Sequence, residues 1–344
     1  MFMAVPAFAR SNYSPDRLND YLLYLKGNEM SPKEYIISSF VDKDIVIVGE
    51  VHLKKEYCEL ISEVIRSAKI NYFASEFIKS SDTDKVNEIV SAEAFDREKA
   101  IDILRDYTWP TWGFEEYLDI IESVWQANSA IRDPKKKIKI IGLDSEWSQY
   151  ENMCGDKKSQ KVLFRQNLER EKNMVRAVRE KYVGGTKILV QTGFAHSLYK
   201  FKSRFAAELY DGYKDKVFQI CLHQVLDGVP SEMTISGDIE KIMAANGNTP
   251  AGFDIAGSPF AGLNDPACFY FKVRQHKDLA DIAMGYIFIK PFKALKTVTW
   301  IPGFVNDGNF EKAACVALKM RFIKKRPESA AEMNAAMSEY FNGK

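Results

Sequence analysis

Residues 44–52 read DIVIVGEVH. The part up to Gly49 is a short β-branched run that ends in glycine, which is typical of a strand buried on both faces of a parallel sheet. The next residues change to a helical period, because apolar side chains over 60–68 recur at the spacing of an amphipathic helix. The stretch therefore predicts one strand-to-helix unit of an α/β fold.

The same alternation of strand and helix repeats along the chain. Further strands are predicted at 71–75, 138–143, 187–193, 217–222 and 284–289. Helices are predicted at 15–26, 31–40, 160–183 and 202–213, and two or three further helices within 85–131. This order predicts one large α/β domain with a mostly parallel central sheet and helices on both faces.

Composition changes suggest three segments. Residues 1–30 form an N-terminal segment, 31–308 the α/β domain, and 309–344 a C-terminal helical segment broken at Pro327. Residues 228–267 are rich in Gly, Pro, Asn and Ala, so we predict a loop-rich insertion there.

The sequence is compatible with two cellular locations. Met1 to Ala9 read MFMAVPAFA, and the small-x-small ending resembles a signal-peptidase site. The protein is periplasmic or secreted if this is the end of an export signal, and cytoplasmic otherwise. The five cysteines are far apart, with no C-x-x-C pair, so we interpret them as small core residues, and one bridge in an oxidising compartment stays open.

Charge and motifs exclude several classes of function. Lys plus Arg number 48 and Asp plus Glu 47, so a formal charge of +1 gives no field that attracts nucleic acid. The sequence has no run of 18 apolar residues, which argues against a transmembrane segment. It also has no Walker loop and no G-x-S-x-G elbow. A small molecule is therefore the expected partner, and the oligomeric state is left open.

Titratable residues follow four of the predicted strands. Glu50 and His52 follow the first, Glu76 the second, Asp144 the third and His196 the fourth. Ligands of open parallel sheets bind at these carboxyl ends. Glu50 and His52 are two residues apart on an extended segment, so both side chains point to the same side. A carboxylate that orients an imidazole suits a general base acting on water.

We therefore predict Glu50, His52, Glu76 and His196 as catalytic residues and Asp144 as a substrate contact. Helix caps and structural hydrogen bonds are the alternative for each residue taken singly. Two imidazoles and the carboxylates also suit a divalent metal. Since the sequence lacks H-E-x-x-H, we assign no metal ligand.

Three aromatic residues lie between the second and third predicted strands. Trp109, Trp112 and Tyr117 are more typical of a helix anchored in the core than of a ligand site. Trp112 is the exception we predict to line the cleft and contact substrate, because Gly113 follows it in a predicted loop.

These motifs resemble, in their order, the ChaN-like proteins, whose superfamily includes the erythromycin esterases and the Tiki/TraB proteases. The resemblance rests on VGEVH at 48–52, ASEF at 74–77, Trp109 with WGFEEY at 112–117, and TGFAH at 192–196. It covers roughly residues 40–200 and extends more loosely to 300.

The resemblance implies an α/β fold with a strand-end cleft, and activities that include haem binding and water-mediated hydrolysis of esters or peptides. It implies that Glu50, His52, Glu76 and His196 occupy the polar cleft positions of the family. The erythromycin esterases carry one more residue between the Glu and the His, and ChaN-like proteins usually have an acidic residue in place of Leu53.

One further pair resembles an esterase element. Arg170 and Glu171 lie in the long helix predicted before the fourth strand, where a helical salt-bridge pair explains them equally well.

Our leading expectation is a hydrolase of ester type in which His52 activates water and Glu50 orients it. Glu76 and His196 would hold the water or the developing oxyanion. The alternatives are a non-catalytic ChaN-like protein that binds haem or a small apolar ligand, and a scaffold with a vestigial cleft. Enzymatic status is open, as is dependence on haem or a divalent metal.

Overall fold

The computed structural model describes residues 12–106, 112–144, 153–225, 233–265 and 277–342, with only the backbone described for 159–168. The fold is α/β with a seven-stranded, mostly parallel sheet, which confirms the predicted fold class. The chain divides into two compact units. The first contains the described residues up to Val51 and those of Gly193–Leu295, and the second contains His52–Thr192 and the residues from Lys296 onward. The domain boundaries predicted from composition stay predictions.

The described strands are β1 (Ile45–Glu50), β2 (Tyr72–Lys79), β3 (Lys139–Asp144), β4 (Ile188–Gly193), β5 (Val217–Leu222), β6 (Ala251–Asp254), β7 (Asn264–Asp265), β8 (Lys277–Asp278) and β9 (Gly285–Phe288). The described α-helices are α1 (Leu18–Asn28), α2 (Pro32–Ser39), α3 (Lys55–Ser67), α4 (Thr83–Ser91), α5 (Arg97–Asp106), α6 (Glu115–Ser129), α7 (Lys157–Arg179), α8 (Phe205–Tyr213), α9 (Ile235–Ala245), α10 (Leu279–Ile282), α11 (Phe310–Lys319) and α12 (Ala330–Asn342).

The first unit has the strand order β1-β5-β9-β6, in which only β6 runs antiparallel to its neighbour. All six residues of β1 are buried, as the β-branched run predicts. Gly49 near its end allows a close approach, because a Cβ there would collide with the Ser197 hydroxyl. The turn after β4 therefore lies directly against the end of β1.

The second unit has the strand order β3-β2-β4, and its neighbouring strands pair in parallel. Helix α3 buries the apolar face predicted from its period, including Ile61, Val64 and Ile65, and makes extensive contact with α6. The carboxyl ends of β2 and β3 consequently meet at one edge of this unit.

The described part of the predicted loop-rich insertion, 233–265, contains the helix α9 and the strand β6. Helix α9 forms there because Thr234 caps its start, where its side chain accepts a hydrogen bond from the Gly237 amide. The small residues of the stretch also form β6, an edge strand whose glycine packs against a neighbouring ring. Gly and Ala here mark close packing rather than irregular backbone.

The interpretation of all cysteines as core residues is wrong. Cys58 and Cys221 are buried thiols, but Cys154 and Cys315 form a disulfide across 161 residues, with their Cα atoms 6.4 Å apart. The bond joins two segments of the second unit. Cys268 lies outside the described residues.

Two helices lie on either side of Pro327, with α11 before it and α12 after it. Within the described parts of the chain, none of the helices has the length and apolar character needed to cross a bilayer. The stretch Met1 to Ala9, whose ending resembles a signal-peptidase site, lies outside the described residues.

A fully buried histidine follows β5 in the first unit. The Nδ1 atom of His223 lies 2.7 Å from the Tyr286 hydroxyl, and its Nε2 atom lies 3.4 Å from Glu240 Oε1. Burial lowers the pKa of His223 from its ordinary 6.5, although the Glu240 carboxylate opposes the shift. The folded protein therefore holds a neutral imidazole at a pH where the unfolded chain begins to bind a proton.

This difference predicts that the free energy of unfolding falls as pH is lowered from about 7.5 to about 5.5. Asp119, whose pKa is raised to about 6 by burial and neighbouring glutamates, acts in the opposite direction. The His223→Gln variant also contains Asp119, so the effect of Asp119 cancels when the variant is compared with wild type. The difference between the two proteins then reports the effect of His223. Urea denaturation at several pH values should show that the free energy of unfolding depends less on pH in the variant than in wild type. An equal dependence on pH in the two proteins would contradict the prediction.

Candidate functional site

Glu76 lies near the carboxyl end of β2, with only 6% of its surface exposed. Both of its carboxylate oxygens accept hydrogen bonds. Thr192 donates its hydroxyl proton to Oε2 across 2.8 Å, and Arg170 donates from its guanidinium to Oε1 across 2.8 Å. The carboxylate is therefore fixed in position by donors from β4 and α7.

Arg170 is itself held by Asp144, the last residue of β3. Its Nε and one terminal nitrogen donate to the two oxygens of Asp144 across 2.7 and 2.9 Å, in the fork geometry that arginine makes with carboxylates. Asp144 is completely buried, whereas the Arg170 side chain is 16% exposed. Arg170 thus bridges the carboxylates of Glu76 and Asp144, which belong to the neighbouring strands β2 and β3.

His52 lies beside this cluster. Its Nε2 atom is 4.0 Å from Glu76 Oε1, and its side chain is 32% exposed. A distance of 4.0 Å is longer than a direct hydrogen bond but is compatible with one bridging water molecule. The imidazole therefore combines contact with solvent and closeness to a fixed carboxylate.

The residue after His52 fixes the backbone. Leu53 adopts a left-handed conformation with φ of +69°, which costs a non-glycine residue of order 1 kcal/mol or more. Its amide donates to the Tyr117 hydroxyl across 3.2 Å, and its carbonyl accepts from the Val298 amide across 3.3 Å. These bonds hold a strained turn, so the position of the imidazole is well defined.

Trp112 forms the apolar side of the cluster. Its ring meets the His52 ring edge-on, with centroids 5.1 Å apart, and it packs in the same way on Tyr117 at 4.8 Å. Trp112 is only 4% exposed, and its ring also lies 6.4 Å, centroid to centroid, from that of Phe77. Its predicted contact with substrate stays a prediction. Trp109 lies outside the described residues.

Glu50 and His196 belong to the first unit. Glu50 is the last residue of β1 and is 2% exposed, and its carbonyl accepts a hydrogen bond from the Phe194 amide across 2.7 Å. His196 is half-buried in the turn after β4. The backbone segments that carry these two residues therefore run side by side, and their catalytic roles stay predictions.

Arg170 and Thr192 are the members of this hydrogen-bonded cluster that the site prediction missed. The pair Arg170-Glu171 carried a signal, but a helix with many charged residues offers many such pairs. Thr192 is the first residue of the TGFAH motif, in which only His196 was predicted as a site residue. Among the residues that the structure describes, no group of three or more His, Cys, Asp and Glu side chains is arranged to hold a metal ion.

Comparison with known proteins establishes the fold but not the family. No family model matches the chain, and no curated protein matches it. A crystal structure of a succinoglycan biosynthesis protein matches 81% of this chain and 98% of its own, at 12% identity and a TM-score of 0.56. A Bacillus cereus protein matches 80% of this chain and 97% of its own, at 10% identity and a TM-score of 0.54.

A structure of ChaN of Campylobacter jejuni, with cofacial haem bound, matches 57% of this chain and 87% of its own. The identity is 15% and the TM-score is 0.38. The conclusion from these comparisons rests on the two longer matches: the chain shares its α/β fold with the succinoglycan biosynthesis protein and with the Bacillus cereus protein.

Proposed function

We propose that the protein is a hydrolase of ester type in which His52 and Glu76 activate a water molecule. The observation that carries the proposal is the 4.0 Å separation between His52 Nε2 and Glu76 Oε1 at a partly exposed imidazole. Two acceptors at this distance suit a single water that donates one proton to each, at about 2.8 Å. The water oxygen then keeps a lone pair for attack on an ester carbonyl.

The chemistry follows general base catalysis. His52 takes a proton from the water as its oxygen bonds to the carbonyl carbon, and Glu76 stabilises the imidazolium that forms. The bond to the leaving alcohol then breaks, and the alkoxide takes the proton back from His52. The products are a carboxylic acid and an alcohol, and the imidazole returns to its neutral form.

Arg170, Asp144 and Thr192 position the reacting pair. Arg170 and Thr192 occupy both oxygens of Glu76, so the carboxylate cannot rotate away from His52. Asp144 holds Arg170 in turn through two hydrogen bonds. Since Asp144 is fully buried, we assign it this positioning role, in place of the predicted contact with substrate.

The residues around His52 do not fit a haem. A haem needs an axial ligand facing an open, flat and apolar slot. His52 instead lies beside the charged group of Glu76 and the edge-on ring of Trp112, and nearby Tyr117 is fully buried. These contacts favour water chemistry over the binding of a large planar ligand.

The test is an assay of the purified wild-type protein on p-nitrophenyl acetate and p-nitrophenyl butyrate, with and without a chelator. We expect release of p-nitrophenol that survives chelation, from protein that shows no Soret band after incubation with haemin. Absence of hydrolysis together with a Soret band would instead support the non-catalytic alternative.

A further inference from the structure

A second concave site lies in the first unit, and its lining includes none of the proposed hydrolytic residues. It is an open cavity of about 370 Å³ formed by α1, α2, β5 and β6 with the segments that join them. The lining residues that define its chemistry are Tyr24, Met30, Tyr35, Asp42, Phe218 and Asp254. The cavity thus combines aromatic rings and a thioether with two carboxylates.

Tyr35 is a rigid wall of this cavity. It is 5% exposed and packs on the backbone of two strand glycines, Gly252 and Gly285. A Cβ at either glycine would overlap Tyr35, so both positions need glycine for this approach. Phe218 meets Tyr35 edge-on, with centroids 6.2 Å apart. Two ring surfaces are therefore held in place by the protein itself.

Both phenols are directed at Asp254. The Tyr35 hydroxyl donates to Oδ1 of Asp254 across 2.6 Å, and the Tyr24 hydroxyl donates to its backbone carbonyl across 2.9 Å. Burial and the Asp254 carboxylate raise the pKa of Tyr35 far above its ordinary range, so Tyr35 remains a neutral donor. The negative charge of this group consequently lies on the exposed Asp254 carboxylate.

The charge balance of the cavity is negative. Asp42 and Asp254 contribute two carboxylates, and Lys43 contributes one cation among the lining residues. Met30 is 47% exposed and adds a polarisable apolar surface. A ligand that matches this cavity has a positive charge spread over an apolar surface.

We propose that the cavity binds an organic cation through a methylated ammonium group. The faces of aromatic rings attract such cations, and carboxylates add a Coulombic attraction that a neutral ligand does not feel. A methylated ammonium also lacks the tight hydration shell of a small metal ion, so it can use the apolar rings. The proposal does not depend on the hydrolase function.

The test compares choline with 3,3-dimethylbutan-1-ol, its neutral analogue of the same shape, by NMR titration of the full-length protein. We expect choline to bind about tenfold more tightly, or more, than the neutral analogue. Equal affinity for the two probes would overturn the proposal.

Variants separate the two contributions. Asp254→Asn keeps the acceptor for Tyr35 but removes the charge, and Phe218→Leu removes a ring, so each should weaken choline binding. Asp215→Asn is the matched control, because Asp215 is an exposed carboxylate of the same unit that does not line the cavity. Thermal denaturation identifies any variant that fails to fold. Wild-type affinity in folded Asp254→Asn would contradict the proposal.

The same headgroup occurs in solution and on lipids. Co-sedimentation with phosphatidylcholine vesicles, but not with phosphatidylglycerol vesicles, would identify a lipid as the source of the group. Choline binding without co-sedimentation would identify a soluble cation. Failure to bind either choline or phosphatidylcholine would overturn the assignment.

Discussion

Replacing His52 with alanine is expected to lower kcat/KM for hydrolysis of a p-nitrophenyl ester by about 10²- to 10⁴-fold, the usual contribution of a general base. The physical reason is that alanine has no basic group that could take a proton from a water molecule beside Glu76 Oε1. The measurement is the initial rate of p-nitrophenol release, with the background hydrolysis in buffer subtracted.

Two controls make the His52 result specific. Gln126→Ala removes an exposed polar side chain of the same unit outside the cluster, and its activity should equal that of wild type. Thermal denaturation should show that the His52→Ala variant is folded. A folded His52→Ala protein with more than about a tenth of wild-type activity would be too active for a general base that contributes 10²-fold or more.

Removal of the disulfide is expected to have the largest effect on stability. The double variant Cys154→Ser/Cys315→Ser should lose about 2–5 kcal/mol of unfolding free energy, because the bond closes a long loop in the unfolded chain. The bond spans 161 residues of sequence. Urea denaturation measures the loss.

The single variants and a reductant test whether the bond itself is responsible. Each single serine variant should lose about as much stability as the double variant, and dithiothreitol should destabilise wild type but not the double variant. Equal stability of reduced and oxidised wild type would show that the bond contributes nothing. Because disulfides persist in oxidising compartments, the bond favours the exported alternative over the cytoplasmic one.

The strands were predictable because their sequence signal is local. The run Ile45–Val48 is β-branched and fully buried, so composition and environment agree. Strands β3, β4 and β5 likewise contain buried β-branched residues, whereas β2 has only one, Ile78. The pattern of strands also predicted that His52, Glu76 and Asp144 lie at the carboxyl ends of one sheet. In the structure, His52 lies near Glu76, and Arg170 links Glu76 to Asp144.

The parts that sequence reasoning missed depend on contacts between distant segments. Cys154 and Cys315 have no spacing that distinguishes a bridge from two core thiols. Arg170 lies in a helix rich in charge, and only its position opposite β3 reveals its bidentate bond to Asp144. Residues 233–265 looked irregular because Gly and Ala serve both in loops and in tightly packed strands.

Gly113 shows a similar limit. The sequence predicts it only as a loop residue, whereas the structure shows that it also accommodates the ring of Phe304, which a Cβ at that position would overlap. Close packing requires a glycine just as a turn does, and a single sequence does not separate the two.

The central claim is that His52 and Glu76 act as one unit on water. The most direct measurement is kcat/KM for His52→Ala, Glu76→Gln and the double variant, with Glu63→Gln as the control at an exposed glutamate of α3. We expect the double variant to be no slower than His52→Ala alone, since residues that act together lose activity non-additively. Wild-type activity in a folded Glu76→Gln protein, or losses that simply multiply, would contradict the account.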